Sequence, residues 1–453
     1  MTKQSKPESA LVEITGLSHG GEGVGRIDST AVFVPHAIPG DVGEVEIVHR
    51  RKNYFLGRLV NLKQSSPERI DPPCPHAPAC GGCQLQHMSY AGQVSWKRLQ
   101  VEEALRRIGG LEVEVAPVLR MSAPIHYRSR AQLPLGGSPG QVTMGFFRRG
   151  THEIVDMQEC MVQHPLMVKL AQAVRRTIAD LRLPPYDEVR HRGIFRHAVI
   201  KASFSDETLM LVLVTRTESI PLQEEIVERL RREVPELVSI AHNINPTVTN
   251  VVYGERTKVI WGEPYIYEQI GGMRYAISPR SFFQVNPQQT KALYDEVRRL
   301  ANLSGGELVL DLYCGTGTIG LYLAKRAGRI VGVETIPDAV SDAKYNAAIN
   351  RVSSAEFIQG QAEAVVPDLV RRMGEIDVAI VDPPRKGCEE AVLKALAQAD
   401  VGRIIYVSCN PATLARDLAY LRERGYTPGR VQPVDMFPWT SHVESVVLLS
   451  RRS

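Results

Sequence analysis

Near the end of the chain, Arg403-Ile404-Ile405-Tyr406-Val407-Ser408 is an apolar, largely β-branched run. Such a run predicts a strand buried on both faces, as in a parallel sheet. It stops at Cys409, turns at Asn410-Pro411 and gives way to a helical pattern from Thr413 to Arg424. Earlier apolar runs at Glu307–Leu312, Ile330–Glu334, Ala355–Gln359 and Ile376–Asp382 alternate with helical patterns in the same way. That alternation constrains this part of the chain to an α/β fold. Open sheets of this class bind ligands outside the carboxyl ends of their strands. Cys409 therefore stands where such a sheet does chemistry. A buried cysteine packing as a small hydrophobe is the plain alternative, and the neighbours decide between the two.

The first of these strands runs into Tyr313-Cys314-Gly315-Thr316-Gly317-Thr318-Ile319-Gly320. Glycines here let backbone approach a ligand closely, and the pattern admits a dinucleotide or S-adenosylmethionine. The form Asp-x-x-x-Gly-x-Gly from Asp311 favours the methyl donor. Glu334 ends the next strand with an acid suited to ribose hydroxyls. Gln361 follows the third strand, where an adenine-edge contact would fall. Asp382 runs into Pro383-Pro384-Arg385, a rigid loop suited to holding a planar base. Cys314 reads as packing. Two further runs, Gly429–Val434 and Val443–Leu449, predict a closing antiparallel pair, with Glu444 at the start of the second. An exposed strand-end acid is the alternative reading of Glu444.

A chain of 453 residues holds about three domains. No apolar run nears the roughly 20 residues of a membrane span. Met1–Ser9 is polar with two lysines, unlike a secretory signal, so a cytoplasmic protein is expected. Seven cysteines, an odd count, suit metal or catalytic use better than a disulfide framework. Three of them fall within Cys74-Pro75-His76-Ala77-Pro78-Ala79-Cys80-Gly81-Gly82-Cys83, and Cys160 is the best candidate for a fourth ligand. Four thiolates suit an iron–sulfur cluster or structural zinc. His76 and His87 keep a mixed zinc site open.

The first 66 residues show short alternating strand patterns, clearest at Leu11–Ile14, Ala31–Val34 and Gly43–Val48. They predict a small OB-like β-barrel, a shape that often binds oligonucleotides. A net charge of +4 does not demand a nucleic-acid partner. Local clusters argue for one: His49–Phe55, His126–Arg130, Gly145–Arg149 and Arg190–His197 each mix basic residues with aromatic or apolar ones. Basic residues beside aromatics suit phosphate contact and base stacking. The helix predicted over Val94–Ile108 turns Val94, Trp96, Leu99 and Leu105 to its apolar side. The segment Ser278–Asn286 precedes another predicted helix, Pro287–Leu300.

Several of these stretches carry resemblances. The barrel with its basic-aromatic hairpin resembles a TRAM domain, an RNA-binding module of RNA-modifying enzymes. Cys-x5-Cys-Gly-Gly-Cys with a distant fourth cysteine looks like the [4Fe-4S] site of RNA uracil-5 methyltransferases, which implies Cys74, Cys80, Cys83 and Cys160 as ligands. Gln284, Asp311–Gly317, Asp382-Pro383-Pro384-Arg385, Ser408-Cys409-Asn410-Pro411 and Phe437-Pro438…His442-Val443-Glu444 occur in the order of that family. The resemblance spans nearly the whole chain and points to the bacterial 23S rRNA branch. It implies three parts: a TRAM barrel (1–66), a central α+β iron–sulfur and RNA-binding domain (67–285), and a Rossmann-like class I methyltransferase domain (286–453). It further implies that Gln284, Tyr313, Thr318, Glu334, Gln361 and Asp382 hold S-adenosylmethionine.

The implied chemistry is coherent. C5 of uracil is a poor nucleophile, and a thiolate adding to C6 makes C5 reactive. A base must then remove the C5 proton. Cys409 is assigned as nucleophile and Glu444 as base, with Cys388 as the rival thiol. The expected partner is 23S rRNA, with no membrane, and the expected state is a monomer. Open alternatives are another rRNA uridine, two uridines, a tRNA, or a non-catalytic RNA-binding iron–sulfur protein.

Overall fold

The computed structural model describes residues 8–452. The polar start read at Met1–Ser9 lies mostly outside the described residues. Six strands build the N-terminal module: Ser9–Glu13, Gly16–Leu17, Gly23–Ile27, Thr30–Val34, Val42–Arg50 and Tyr54–Gln64. In space their order is first, fifth, sixth, fourth, third, second. The chain beyond the first strand bonds back to the third, Thr15 N–H donating to Val24 O at 2.9 Å, so the sheet rolls up. Gly25 permits that closure, because a Cβ there would collide with Val12 and the Glu13 carbonyl. Val12, Ile14, Val32, Val34, Ala37 and Val45 fill the interior.

The central part is a seven-stranded sheet, from Arg256–Gly262 at one edge to Ile154–Asp156 at the other. Helices Pro165–Asp180 and Gln223–Glu233 cover one face. The other face does not stand free. Val199, Met210, Val212, Val214 and Ala241 share one apolar core with Val309, Ile330 and Val378 of the catalytic sheet. Covered on both faces, Phe195–Ala202 and Leu209–Thr215 are buried throughout, as continuous apolar runs predict.

The C-terminal part is the predicted α/β sheet. Parallel strands lie in the order Ala355–Gln359, Arg329–Glu334, Leu308–Leu312, Val378–Val381, Arg403–Ser408. Glu444–Arg451 pairs antiparallel with the last of these and carries Tyr426–Pro428 on its far side. Gln432–Val434 also pairs with Glu444–Arg451, as expected, but Val431 bridges to Val115 instead.

Two readings change. The Tyr90–Arg107 helix buries Gln93, Trp96, Lys97, Val101 and Leu105, whereas Leu99 is half exposed. Val101 and Leu105 pack on Leu414, Ala415 and Leu418 of the catalytic domain. Arg196, read as RNA-facing, is buried, donating to the carbonyls of Asn245, Thr247 and Thr249. Among the described residues, no helix is long and apolar enough to cross a membrane.

Candidate active site

The loop after strand Leu308–Leu312 is shaped by left-handed backbone at Tyr313 (φ 59°), Gly315 (φ 55°) and Gly317 (φ 77°). Nothing lies within 4 Å of a Cβ built on Gly315, which opens into a cavity of about 910 Å³. Glu334, at the adjacent strand end, clamps the loop by accepting from Gly315 N at 3.0 Å and from Thr335 and Ile336 N at 2.8 and 2.9 Å. Asp311 accepts from Gly320 N at 2.8 Å, and burial pushes its carboxyl up to about 7. Tyr294 donates to Thr318 Oγ1 at 2.8 Å. Asp311 Oδ1 and Thr316 Oγ1 are buried without partners. Unpaired buried polar atoms clustered at one loop call for a ligand or water. A glycine cradle beside a strand-end acid and such atoms fits the nucleoside part of S-adenosylmethionine. Gln284, Tyr313, Thr318, Glu334 and Asp382 all line this cavity.

Cys409 and Glu444 are brought together by sheet register. Ser408 pairs with Ser445, so the next residues, Cys409 and Glu444, stand opposite one another at the strand ends. Both line the cavity. Burial, with help from Asp382, pushes the Glu444 carboxyl up to about 8, and burial alone takes Asp382 to about 7. Burial and the two carboxylates push the Cys409 thiol up to about 12, and Arg385 opposes this. Asn410 holds the Arg385 carbonyl at 3.0 Å, which closes the Pro-Pro loop over the cysteine. Cys388, the rival thiol, does not line the cavity. It is buried, its N–H bonded to the Asp417 carboxylate at 2.9 Å. Cys314 is packed in the core, as read.

Cys74, Cys80, Cys83 and Cys160 line the same cavity. Burial raises the thiols of Cys80, Cys83 and Cys160, Cys83 up to about 12, and the neighbouring cysteines add to the rise. Among the described residues, however, no group of three or more His, Cys, Asp or Glu side chains is placed to hold a metal ion. The expected metal site is thus brought together as a wall of thiols without being drawn to bonding distance. Metals bind the thiolate, and burial here favours the thiol. Among the described residues, His76 and His87 complete no such group either.

Gln361 does not join the site. It caps the Ala362–Met373 helix, exposed and off the cavity wall. The sequence motifs contained Arg385 and His442 without assigning them a role; both line the cavity with Nη2 and Nε2 3.4 Å apart, and Arg385 acts on Cys409 and Glu444. Arg385's place directly after the Pro-Pro loop was the available signal.

A strand-order reversal, a glycine cradle and an opposed cysteine and glutamate define the class of S-adenosylmethionine-dependent methyltransferases. The comparisons with known proteins give the particular family. Residues 89–452 match the profile of tRNA (uracil-5-)-methyltransferases, and residues 8–60 match the TRAM domain. An uncharacterized RNA methyltransferase of Halalkalibacterium halodurans is 46% identical over all of both chains. One from Clostridium tetani is 44% identical over 96% of this chain and 95% of its own. The crystal structure of Pyrococcus abyssi tRNA (uracil-54, C5)-methyltransferase with S-adenosyl-L-homocysteine is similar at TM-score 0.79 and 31% identity. That match covers 97% of this chain and 99% of the other. The chain belongs to the tRNA (uracil-5-)-methyltransferase family, with an N-terminal TRAM domain. It is an S-adenosylmethionine-dependent RNA (uracil-C5)-methyltransferase.

Proposed function

We propose that the enzyme methylates C5 of a uridine in 23S rRNA through a covalent bond between Cys409 and C6. The observation that carries this reading is the register that opposes Cys409 and Glu444 in the cavity of the glycine loop. When bound, S-adenosylmethionine supplies an electrophilic methyl group. Gln284, Tyr313, Thr318, Glu334 and Asp382 hold it, with Gln361 outside this set as the fold stands. Cys409 passes its proton to ionised Asp382 and bonds to C6. The C5=C6 electron pair shifts into an enolate, and C5 takes the methyl. Glu444 as carboxylate removes the C5 proton, C5=C6 reforms, and the thiolate leaves. Water exclusion suits this sequence, since the thiolate and carboxylates act more strongly when desolvated.

The Cys-x5-Cys-Gly-Gly-Cys spacing with Cys160 on the same cavity wall supports a [4Fe-4S] cluster as the group the four cysteines take. Its positive charge would favour the thiolates. Cys74, Cys80, Cys83 and Cys160 would hold it.

A tRNA substrate is the second reading. The Pyrococcus abyssi structure covers 97% of this chain, barrel included, so the barrel does not mark an rRNA branch. Incubation with S-adenosylmethionine and unmodified 23S rRNA or tRNA, followed by mass spectrometry of nuclease fragments, tests both. Methyl at C5 of a 23S uridine supports the first reading. Methyl on tRNA alone replaces it.

A further inference from the structure

Between the paired residues Val434 and Glu444 the chain makes a long excursion, Asp435–Val443. Phe437, Thr440 and His442 of this excursion line the cavity. Its first half is held in an unusual way, because five successive carbonyls accept from groups elsewhere in the fold. Asp435 O accepts from Gln289 at 3.0 Å and Met436 O from Asn286 at 3.0 Å. Phe437 O accepts from Lys97 Nζ at 2.9 Å, and Pro438 O from the Tyr127 hydroxyl at 2.9 Å. Trp439 O accepts from Gln84 and Leu85 N, each at 3.0 Å, in the loop that follows Cys83. Trp439 itself adopts a left-handed backbone (φ 69°), a conformation that persists only where surroundings enforce it.

Lys97 is the charged member of this set. It lies on the Tyr90–Arg107 helix, and its ammonium is 2.6 Å from Asp435 Oδ1, both side chains 0% exposed. The same helix offers Gln93 Oε1 to Trp439 N at 2.9 Å. A fully buried ion pair is poor evidence for stability, since apolar replacements are often as stable. Its better-attested use is to specify one arrangement among several. Here the specified element is the segment that leads into the catalytic base.

We propose that Lys97 is a positioning residue for Glu444, acting through Asp435 and the Phe437 carbonyl to hold the hairpin mouth where the base reaches C5. The inference rests on the covalent reading above. That reading supplies a diagnostic state: if thiol addition and methyl transfer proceed but the C5 proton stays, methylated RNA remains bonded to the enzyme. Mispositioning the base therefore leaves a denaturant-resistant, methyl-labelled protein–RNA adduct, which mere loss of folded enzyme does not.

The test measures turnover and adduct together for Glu444→Gln, Lys97→Met, Lys97→Met/Asp435→Leu and Tyr127→Phe, in the full-length protein with labelled S-adenosylmethionine and the RNA it methylates. The double variant leaves no orphaned carboxylate, so it folds if the single one does not. Tyr127→Phe removes one hydroxyl from the same segment. Expected are an adduct in Glu444→Gln, the same adduct with turnover down about 10²-fold in the double variant, and a weaker version of both in Tyr127→Phe. An adduct in Glu444→Gln with none in the folded double variant overturns the inference and leaves the covalent reading intact. No adduct in Glu444→Gln overturns that reading, and the inference with it.

Discussion

Cys409 and Cys83 share one cavity but are held by different physics. Cys409 follows a six-residue strand locked between two neighbours, so its place and its opposition to Glu444 follow from register. Cys83 lies in a run of turns, fixed by single bonds such as Gly81 N to Phe147 O at 3.0 Å and Cys80 N to His76 O at 2.8 Å. A sheet places its terminal residues for many cooperative reasons at once. Turns place theirs for few. The comparison teaches that the catalytic end is fixed by sheet register, whereas the thiol wall is fixed only by local turns.

Changes at the catalytic end should have the largest effect. Cys409→Ala is expected to lower kcat/KM by about 10⁴-fold or more, the scale of losing a covalent nucleophile, with RNA binding retained in a gel-shift assay. Residual transfer near wild type would break the comparison at its strongest point. Glu444→Gln should lower turnover by about 10²–10⁴-fold. Its pH profile sharpens the claim. Since Glu444 must be ionised to act and its carboxyl is raised to about 8, wild-type kcat/KM should rise with pH through about 8.

At the other end, Cys83→Ser or Cys160→Ser should strip iron from anaerobically purified protein, read as loss of brown colour and of bound iron. The apparent melting temperature should fall while the catalytic pocket still binds S-adenosylhomocysteine by calorimetry. Loss of cofactor binding together with iron would show that the two ends are not separately built. The smallest effect is one of stability. The raised carboxyl of Glu444 favours the protonated form in the folded state, so its stabilising contribution is present at low pH and is lost as pH rises from about 4 toward about 8. Glu444→Gln should therefore gain in melting temperature relative to wild type between pH 5 and pH 8. A constant difference across that range would contradict the burial that places the group.

The same contrast explains what could be read from the chain alone. The five parallel strands, the glycine loop and the pairing of Glu444 with its neighbours follow from apolar runs and their ends, and they stand where expected. The strand Ala355–Gln359 precedes no cofactor contact at Gln361, because the chain there turns outward into its helix cap; the strand was legible and the side chain's direction was not. Lys97 and Gln93 were illegible for a different reason. On a helix, polar residues read as solvent-facing, and only the partner some 340 residues away reveals that they are buried. Arg196 misled in the same way, its three carbonyl partners lying about 50 residues downstream. The shared core of the central and catalytic sheets was equally hidden, since both faces of an apolar strand look alike in sequence.

The most direct test of the central claim is to locate the covalent bond. Glu444→Gln enzyme would be incubated with methyl-labelled S-adenosylmethionine and substrate RNA, denatured, and digested with trypsin and nuclease. The account predicts a methylated nucleotide attached to the peptide Ile404–Arg416, at Cys409. A nucleotide on Cys388 or on the four-cysteine wall would contradict it, as would methylated RNA released with no protein bond at all.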